Sequence, residues 1–334
     1  MSDARCPKSM TFGPCGGVDA DGGCEVDERP CPFLHDERLP DQPIARLALP
    51  IKLPHPVVAV DVRAPSEWDG DVRGLWRRAG QALRGCVALL GEHVDNPRRE
   101  DDSGPVDPVV VVELLGEAGV PVIVTVTGRD RGLADARRWI DRYRAAGALA
   151  VHCVTGDHPA ALGIDRSATF GCESVTLVAE VVEGGIAATV AESPASPGDR
   201  IGRLLLKERV GASACILNHH GSVSDMAMFA DACRGAGLRL PLIAPVPMIG
   251  SARSALALAK FPGVRVPPDL LRRVIHARDP ASEGRAVALE VSMQLAQGGR
   301  FAGVNLSGST GATDPWERLR ITGDLAQNIL AIWA

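Results

Sequence analysis

From residue 57 onward, short apolar runs rich in β-branched residues alternate with amphipathic segments at a regular beat. The runs predict strands at 57–62, 86–90, 122–127, 149–154, 186–190, 214–217, 242–246 and 302–306. Segments with apolar residues three and four apart predict helices at 72–83, 109–118, 133–146, 172–182, 200–210, 223–235, 252–261, 282–297 and 314–333. Each strand is followed by enough chain for the helical crossover that parallel neighbours require, so the pattern predicts a parallel sheet. Eight such units in roughly 250 residues make the tally of an α/β protein folded as a (β/α)8 TIM barrel. A doubly wound open sheet is the alternative, but no GxGxxG string follows the first strand. The last helix ends Ile329-Leu330-Ala331-Ile332-Trp333, which permits self-association into a homo-oligomer or closes the barrel floor.

Composition narrows the partners. The 334 residues carry a net charge of −5, no Lys/Arg block and one Tyr, so neither a phosphate-tracking face nor a base-stacking platform is expected and nucleic acid is not a partner. The opening string MSDARCPKSM lacks the apolar stretch of a signal peptide, and no run approaches the ~18 apolar residues of a membrane span. A cytoplasmic protein with no membrane partner is expected, its nine cysteines reduced. Those cysteines are unevenly spread: Cys6, Cys15, Cys24 and Cys31 crowd the first 31 residues, and the other five are scattered as small core residues. The change in spacing divides the chain into a Cys-rich module over 1–40 and a barrel with its C-terminal helix over 41–334.

Four thiols separated by Gly and Pro cannot bury enough surface to fold unaided, and a metal is the simplest tie. Tetrahedral zinc and a [4Fe-4S] cluster both take four thiolates, and the absence of a CxxC knuckle leaves the two open, as it does a reduced arm lying on the barrel. His35 is available to replace one thiol. In the barrel itself, chemistry belongs at the carboxyl ends of the strands. These read Asp61-Val62-Arg63-Ala64-Pro65, Gly91-Glu92-His93-Val94-Asp95-Asn96-Pro97, Thr127-Gly128-Arg129-Asp130-Arg131, Val154-Thr155-Gly156-Asp157-His158-Pro159 and Asn218-His219-His220-Gly221. Asp61 at a barrel mouth is a candidate proton donor if burial lifts its pKa, or else an ion-pair partner of Arg63 or Arg129, with Glu67 or Glu92 as substitute acids. Consecutive strand-end residues point in opposite directions, so His219 and His220 are not expected to share a metal. Trp68, Trp76 and Trp139 read as helix packing.

In that order and spacing, these strings resemble the methylenetetrahydrofolate reductase family, as do Phe170-Gly171-Cys172-Glu173-Ser174 and Val264-Arg265-Val266-Pro267 further on. The resemblance covers most of residues 55–310. It implies a barrel that takes electrons from NAD(P)H, commonly through FAD, and reduces 5,10-methylenetetrahydrofolate to 5-methyltetrahydrofolate in one-carbon metabolism. It implies catalytic roles for Asp61, where the family carries a Glu, and for Asp157 beside the flavin's pyrimidine edge. Cofactor contacts are implied at Thr127, Arg129, Asp130, Gly156, Asp157 and Lys207, the last near the flavin phosphates with Arg203 and Arg200 upstream. Folate contacts are implied at Asp61, Glu92, Asn218 and His219, the last in place of a family Gln. After the fifth strand, Thr189-Val190-Ala191-Glu192-Ser193-Pro194 offers neither the aromatic nor the His of the family. The N-terminal string resembles a Cys-rich module of some family members, which also occurs as a partner subunit, and this implies zinc or an iron-sulfur cluster on Cys6, Cys15, Cys24 and Cys31 and docking of a partner subunit. A tetrahydrofolate-dependent methyltransferase or demethylase, and a non-catalytic electron-transfer subunit, are the competing functions.

Overall fold

The computed structural model describes residues 6–19, 21–27, 29–34, 44–64, 71–92, 107–219, 222–260 and 264–334. His35, Glu67, Trp68, Val94-Asp95-Asn96-Pro97 and His220, and the division near residue 40, lie outside the described residues.

Eight strands close into one barrel in sequence order, all paired in parallel. They are β1 (Val57–Arg63), β2 (Val87–Gly91), β3 (Val122–Thr127), β4 (Ala150–Val154), β5 (Ala187–Glu192), β6 (Ala212–Leu217), β7 (Leu242–Ile249) and β8 (Gly303–Ser309). Helices α1 (Val72–Ala82), α2 (Pro108–Glu117), α3 (Leu133–Ala145), α4 (Ser174–Glu183), α5 (Arg200–Arg209) and α6 (Val223–Gly235) follow β1 to β6 in turn. Between β7 and β8 lie α7 (Ala252–Ala259), α8 (Pro268–His276) and α9 (Pro280–Gly298), and α10 (Pro315–Trp333) ends the chain. The helix α8 is not in the sequence-based set; it starts at Pro268, and Leu271 and Val274, three apart, bury one face of it. The helix starts obey capping chemistry, with Asp71, Asp107, Asp199, Ser222 and Asp314 each accepting a backbone N–H of the first turn.

Alternation along the strands sorts side chains into two cores. Val57, Ala59, Val87, Leu89, Ile123, Ala150, Ala187, Ile216 and Ile243 fill the barrel interior, with Leu49, Ile51 and Leu53 packed against them from the segment before β1. Residues such as Val58, Val60, Val124 and Val151 face the helices. The floor is therefore closed by residues 49–53. The expectation that the C-terminal helix closes it is corrected: α10 packs outside, on α1, α9 and β1, with Trp333 Nε1 donating to Ser292 Oγ at 3.0 Å. Among the described residues no helix is long and apolar enough to cross a membrane.

The helix α9 lies so close to β7 that a Cβ on Gly284 would stand 1.7 Å from the Ile249 carbonyl oxygen. Backbone cannot step aside as a flexible side chain does. Gly284→Ala is expected to destabilise by about 3 kcal/mol, read as a lower urea midpoint at unchanged m; an unchanged midpoint would show that α9 shifts freely.

Candidate functional site

At the carboxyl ends of β2 to β6 a cavity of about 250 Å³ opens between the barrel and the N-terminal segment. Glu92, Thr127, Arg129, Gly156, Asp157, Lys207 and Asn218 all line it, so the mouth gathers seven of the residues singled out in the sequence. Lys8, Met10, Phe12 and Cys15 from the module line it as well.

Asp61 continues the inward set of Val57 and Ala59 on β1. Water reaches it, yet protein rings it, and this burial pushes its carboxyl up to about 7. Asn305 of β8 pulls the other way, its Nδ2 donating to Asp61 Oδ1 at 3.1 Å. The partner is thus a neutral amide, and the alternative pairing with Arg129 is replaced by a bond from Arg129 Nη1 to the Asp157 carbonyl at 3.1 Å. Asp61 does not line the 250 Å³ cavity.

Glu92 is a structural pin. Both its oxygens accept from Arg131 at 3.0 Å, and Oε2 also accepts from the Thr127 N–H at 3.2 Å. A carboxylate so occupied holds the β2 and β3 ends together and does not serve as the substitute acid. Asp130 leaves the site altogether: at φ +53° it turns outward, accepting from Arg166 at 2.6 Å and from the Thr169 N–H at 3.0 Å. Burial raises its pKa, but these bonds outweigh it and hold the carboxyl below its ordinary value. Its expected cofactor contact is corrected accordingly.

Gly156 adopts φ +94°, and a Cβ there would meet Thr127 Cβ at 3.0 Å, so the backbone conformation and its neighbour require glycine. Asp157 does not cap the next helical turn; the His158 ring does, accepting the Ala160 N–H at 3.2 Å. The Asp157 carboxylate is left for the cavity.

Two placements were not legible in the sequence. Glu192, fully buried at the end of β5, pairs with both Arg203 and Lys207, and Lys207 Nζ also donates to the Ala191 carbonyl at 2.6 Å. Burial raises the Glu192 pKa, but the two cations more than reverse it and keep the carboxylate ionised. Lys207 and Arg203, read as a cationic face for a pyrophosphate, both pair with this one internal carboxylate. His152, inward on β4, places Nδ1 3.0 Å from Thr189 Oγ1. Burial and the nearby Lys207 lower its pKa to about 4, so it is a neutral ring at the bottom of the cavity.

Asn218 and His219 part company. Asn218 lines the first cavity, whereas His219 lines a second, of about 200 Å³, with Pro245, Pro247, Arg265, Asp269 and Gln294. His219 Nε2 lies 2.6 Å from Ser307 Oγ, and burial lowers its pKa to about 4. The two are adjacent in sequence but not members of one pocket.

Cys6, Cys15, Cys24 and Cys31 all border one small cavity of about 20 Å³. In kind and number these donors suit a four-thiolate site. As placed, no three His, Cys, Asp or Glu side chains among the described residues are arranged to hold an ion. For the expected flavin, Arg203 and Lys207 share the single carboxylate of Glu192, which leaves a net positive charge there, and Lys8 Nζ donates to the Gly156 carbonyl at 2.8 Å.

Residues 107–305 match the family model described as methylenetetrahydrofolate reductase. This chain belongs to that family. Residues 2–42 match a second model, described as methylene-tetrahydrofolate reductase C terminal. No curated protein matches the chain. Among solved structures, an uncharacterized protein from Clostridium thermocellum, described as binding two copies of 5-methyl-5,6,7,8-tetrahydrofolic acid, superposes with a TM-score of 0.57 at 13% identity, covering 83% of this chain and 96% of that one. At that identity the likeness is one of fold. Family membership supports a methylenetetrahydrofolate reductase-like folate enzyme.

Proposed function

We propose that the protein reduces 5,10-methylenetetrahydrofolate to 5-methyltetrahydrofolate with NAD(P)H as the source of hydride. The observation that carries this reading is the family match over residues 107–305, together with Asp61 at the barrel mouth, held by an amide rather than a cation. A carboxyl raised by burial to about 7 holds its proton in roughly half of the molecules at neutral pH and can give it away. In the reaction the protonated Asp61 donates to N10 of the folate as the bond from N10 to the methylene carbon breaks. The resulting N5 iminium carbon accepts hydride and becomes the N5 methyl group. The sum is one NAD(P)H and one proton consumed per folate reduced. Asp157, which lines the cavity, would accept hydrogen bonds from the pterin ring. A folate-binding structural neighbour supports the substrate class.

The test follows nicotinamide absorbance at 340 nm, roughly the usual band of the reduced ring, with and without 5,10-methylenetetrahydrofolate. Folate-dependent oxidation that yields 5-methyltetrahydrofolate supports the reading; 5-methyltetrahydrofolate formed from a methyl donor without nicotinamide consumption would replace it with methyl transfer. Asp157→Ala is expected to fold normally and lose at least about tenfold in kcat/KM, checked by circular dichroism beside the assay.

For the module we propose zinc or a [4Fe-4S] cluster on Cys6, Cys15, Cys24 and Cys31, supported by their shared cavity and by the match over residues 2–42. Elemental analysis of the freshly purified chain is expected to show one zinc or about four irons per chain. Cys24→Ser with Cys31→Ser should lower that content; unchanged metal in the double variant would place the ligands elsewhere.

A further inference from the structure

Asn305 sits on the inner face of β8, level with Ala59 of β1 on one side and Pro245 of β7 on the other. It is 5% exposed, and neither flanking side chain has a polar atom. Its Nδ2 reaches one inward step along β1 to donate to Asp61 Oδ1 at 3.1 Å. Its Oδ1 is buried and has no hydrogen-bond partner among the described residues. Half of this amide is therefore idle in a place where an idle carbonyl oxygen lowers stability. Leucine has nearly the same shape and would carry no such cost. The chain has an amide there, and the hydrogen bond that the amide makes is to Asp61.

A primary amide suits a carboxyl that gains and loses a proton. An ionised Asp61 only accepts, and Nδ2 donates to it; a protonated Asp61 has an O–H to give, and a half turn of the amide presents Oδ1 to accept it. The bond to the ionised form is charge-assisted and is the stronger of the two. Burial lifts the Asp61 carboxyl, and the amide pulls against it, toward release of the proton. In both states the carboxyl stays tied to β8. The charged and titratable groups around it have other places. Arg63 stands two residues on along β1, and on β2 Leu89 faces Asp61 across the ladder, with Glu92 beyond it bound by Arg131. From β8 comes the hydroxyl of Ser307, which meets His219. Across the mouth, His152 lies against Thr189, and Arg129 donates to the Asp157 carbonyl.

We propose that Asn305 is the positioning residue of the proton donor: its amide holds Asp61 against β8 through both protonation states and eases release of the proton, and the fold gives up stability to keep it there. The inference deepens the reductase reading and rests on it for the reaction, since Asn305 acts through Asp61 and touches no reacting atom.

Asn305→Leu and Asn305→Asp, both close to asparagine in shape, are compared with wild type as full-length chains. The measurements are urea unfolding, kcat against pH, and carbon NMR of the Asp61 carboxyl in protein labelled at its aspartates, the Asp61 signal being the one absent from Asp61→Asn. Asn305→Leu is expected to unfold at a urea concentration equal to or above that of wild type. Its Asp61 midpoint and the falling limb of its kcat profile should move up together by about 0.5–1 pH unit, because the donor to the ionised form is gone. Its level kcat should fall about tenfold, because the acid is no longer aimed. Asn305→Asp sets a second carboxyl beside the first; two such groups share one proton, and the limb should move up by more than about one unit. A leucine variant that is less stable than wild type, with the Asp61 midpoint unmoved, shows that the amide only braces the strand and overturns the inference. Asp61 titrating at one pH in all three proteins, while wild type turns over, also overturns it and leaves the reductase reading standing. Midpoints that move as expected in a chain that oxidises no nicotinamide with folate support the hold on Asp61 and refute the reductase reading.

Discussion

Asp61→Asn is expected to lower kcat by about 100- to 10,000-fold, the usual worth of a positioned proton donor, while the fold is kept. Asparagine has the same shape and its oxygen can still accept from Asn305 Nδ2, so the β1–β8 contact survives. What it cannot do is surrender a proton. The pH profile gives a second signature. With a pKa near 7, Asp61 is protonated below that pH and ionised above it, so wild-type kcat should be level below about pH 7 and fall roughly tenfold per pH unit above it. The variant should lose that limb. A rate that climbs above pH 7, or a variant with full activity, would assign the proton to another group.

Glu192→Ala is expected to be the most destabilising single change at the site. The carboxylate sits fully buried between Arg203 and Lys207, and removing it leaves two cations in a dry sector with one carbonyl bond between them. Breaking a buried pair from one side costs about 3–5 kcal/mol, which for a domain of this size lowers the melting temperature by about 10 °C. The pH dependence has a definite sign. The Glu192 pKa is lower in the folded chain than in the unfolded one, so its contribution is present above the ordinary Glu value of ~4.3 and fades as pH falls through the folded value. Wild type should therefore lose stability on acidification more steeply than Glu192→Ala. Parallel acid-denaturation curves for the two proteins would show that Glu192 contributes no such linkage.

The candidate site was partly legible. Thr127, Arg129, Gly156, Asp157 and Asn218 lie where their strand-end positions put them, because a strand alternates and its last inward residue meets the mouth. Asp130 was misplaced because a positive φ after β3 turns its side chain outward, and no local string announces that. His219 followed Asn218 in sequence, but alternation sends neighbours to different pockets. Lys207 lines the mouth, and its pairing with Glu192, fifteen residues away on another element, is not visible in the local string. Lys8 was passed over beside the cysteines, although it carries the module's reach into the barrel.

The pattern of apolar and polar positions determined the eight strands and their helices, and with them the parallel barrel, since crossover length and strand period are local properties. The cysteine spacing likewise marked out the first 31 residues as something apart. Which groups partner one another was decided only by the tertiary structure. Glu192 with Arg203 and Lys207, Asp61 with Asn305, and Glu173 with the backbone of Thr11 and Phe12 join positions that burial, not sequence distance, brings together.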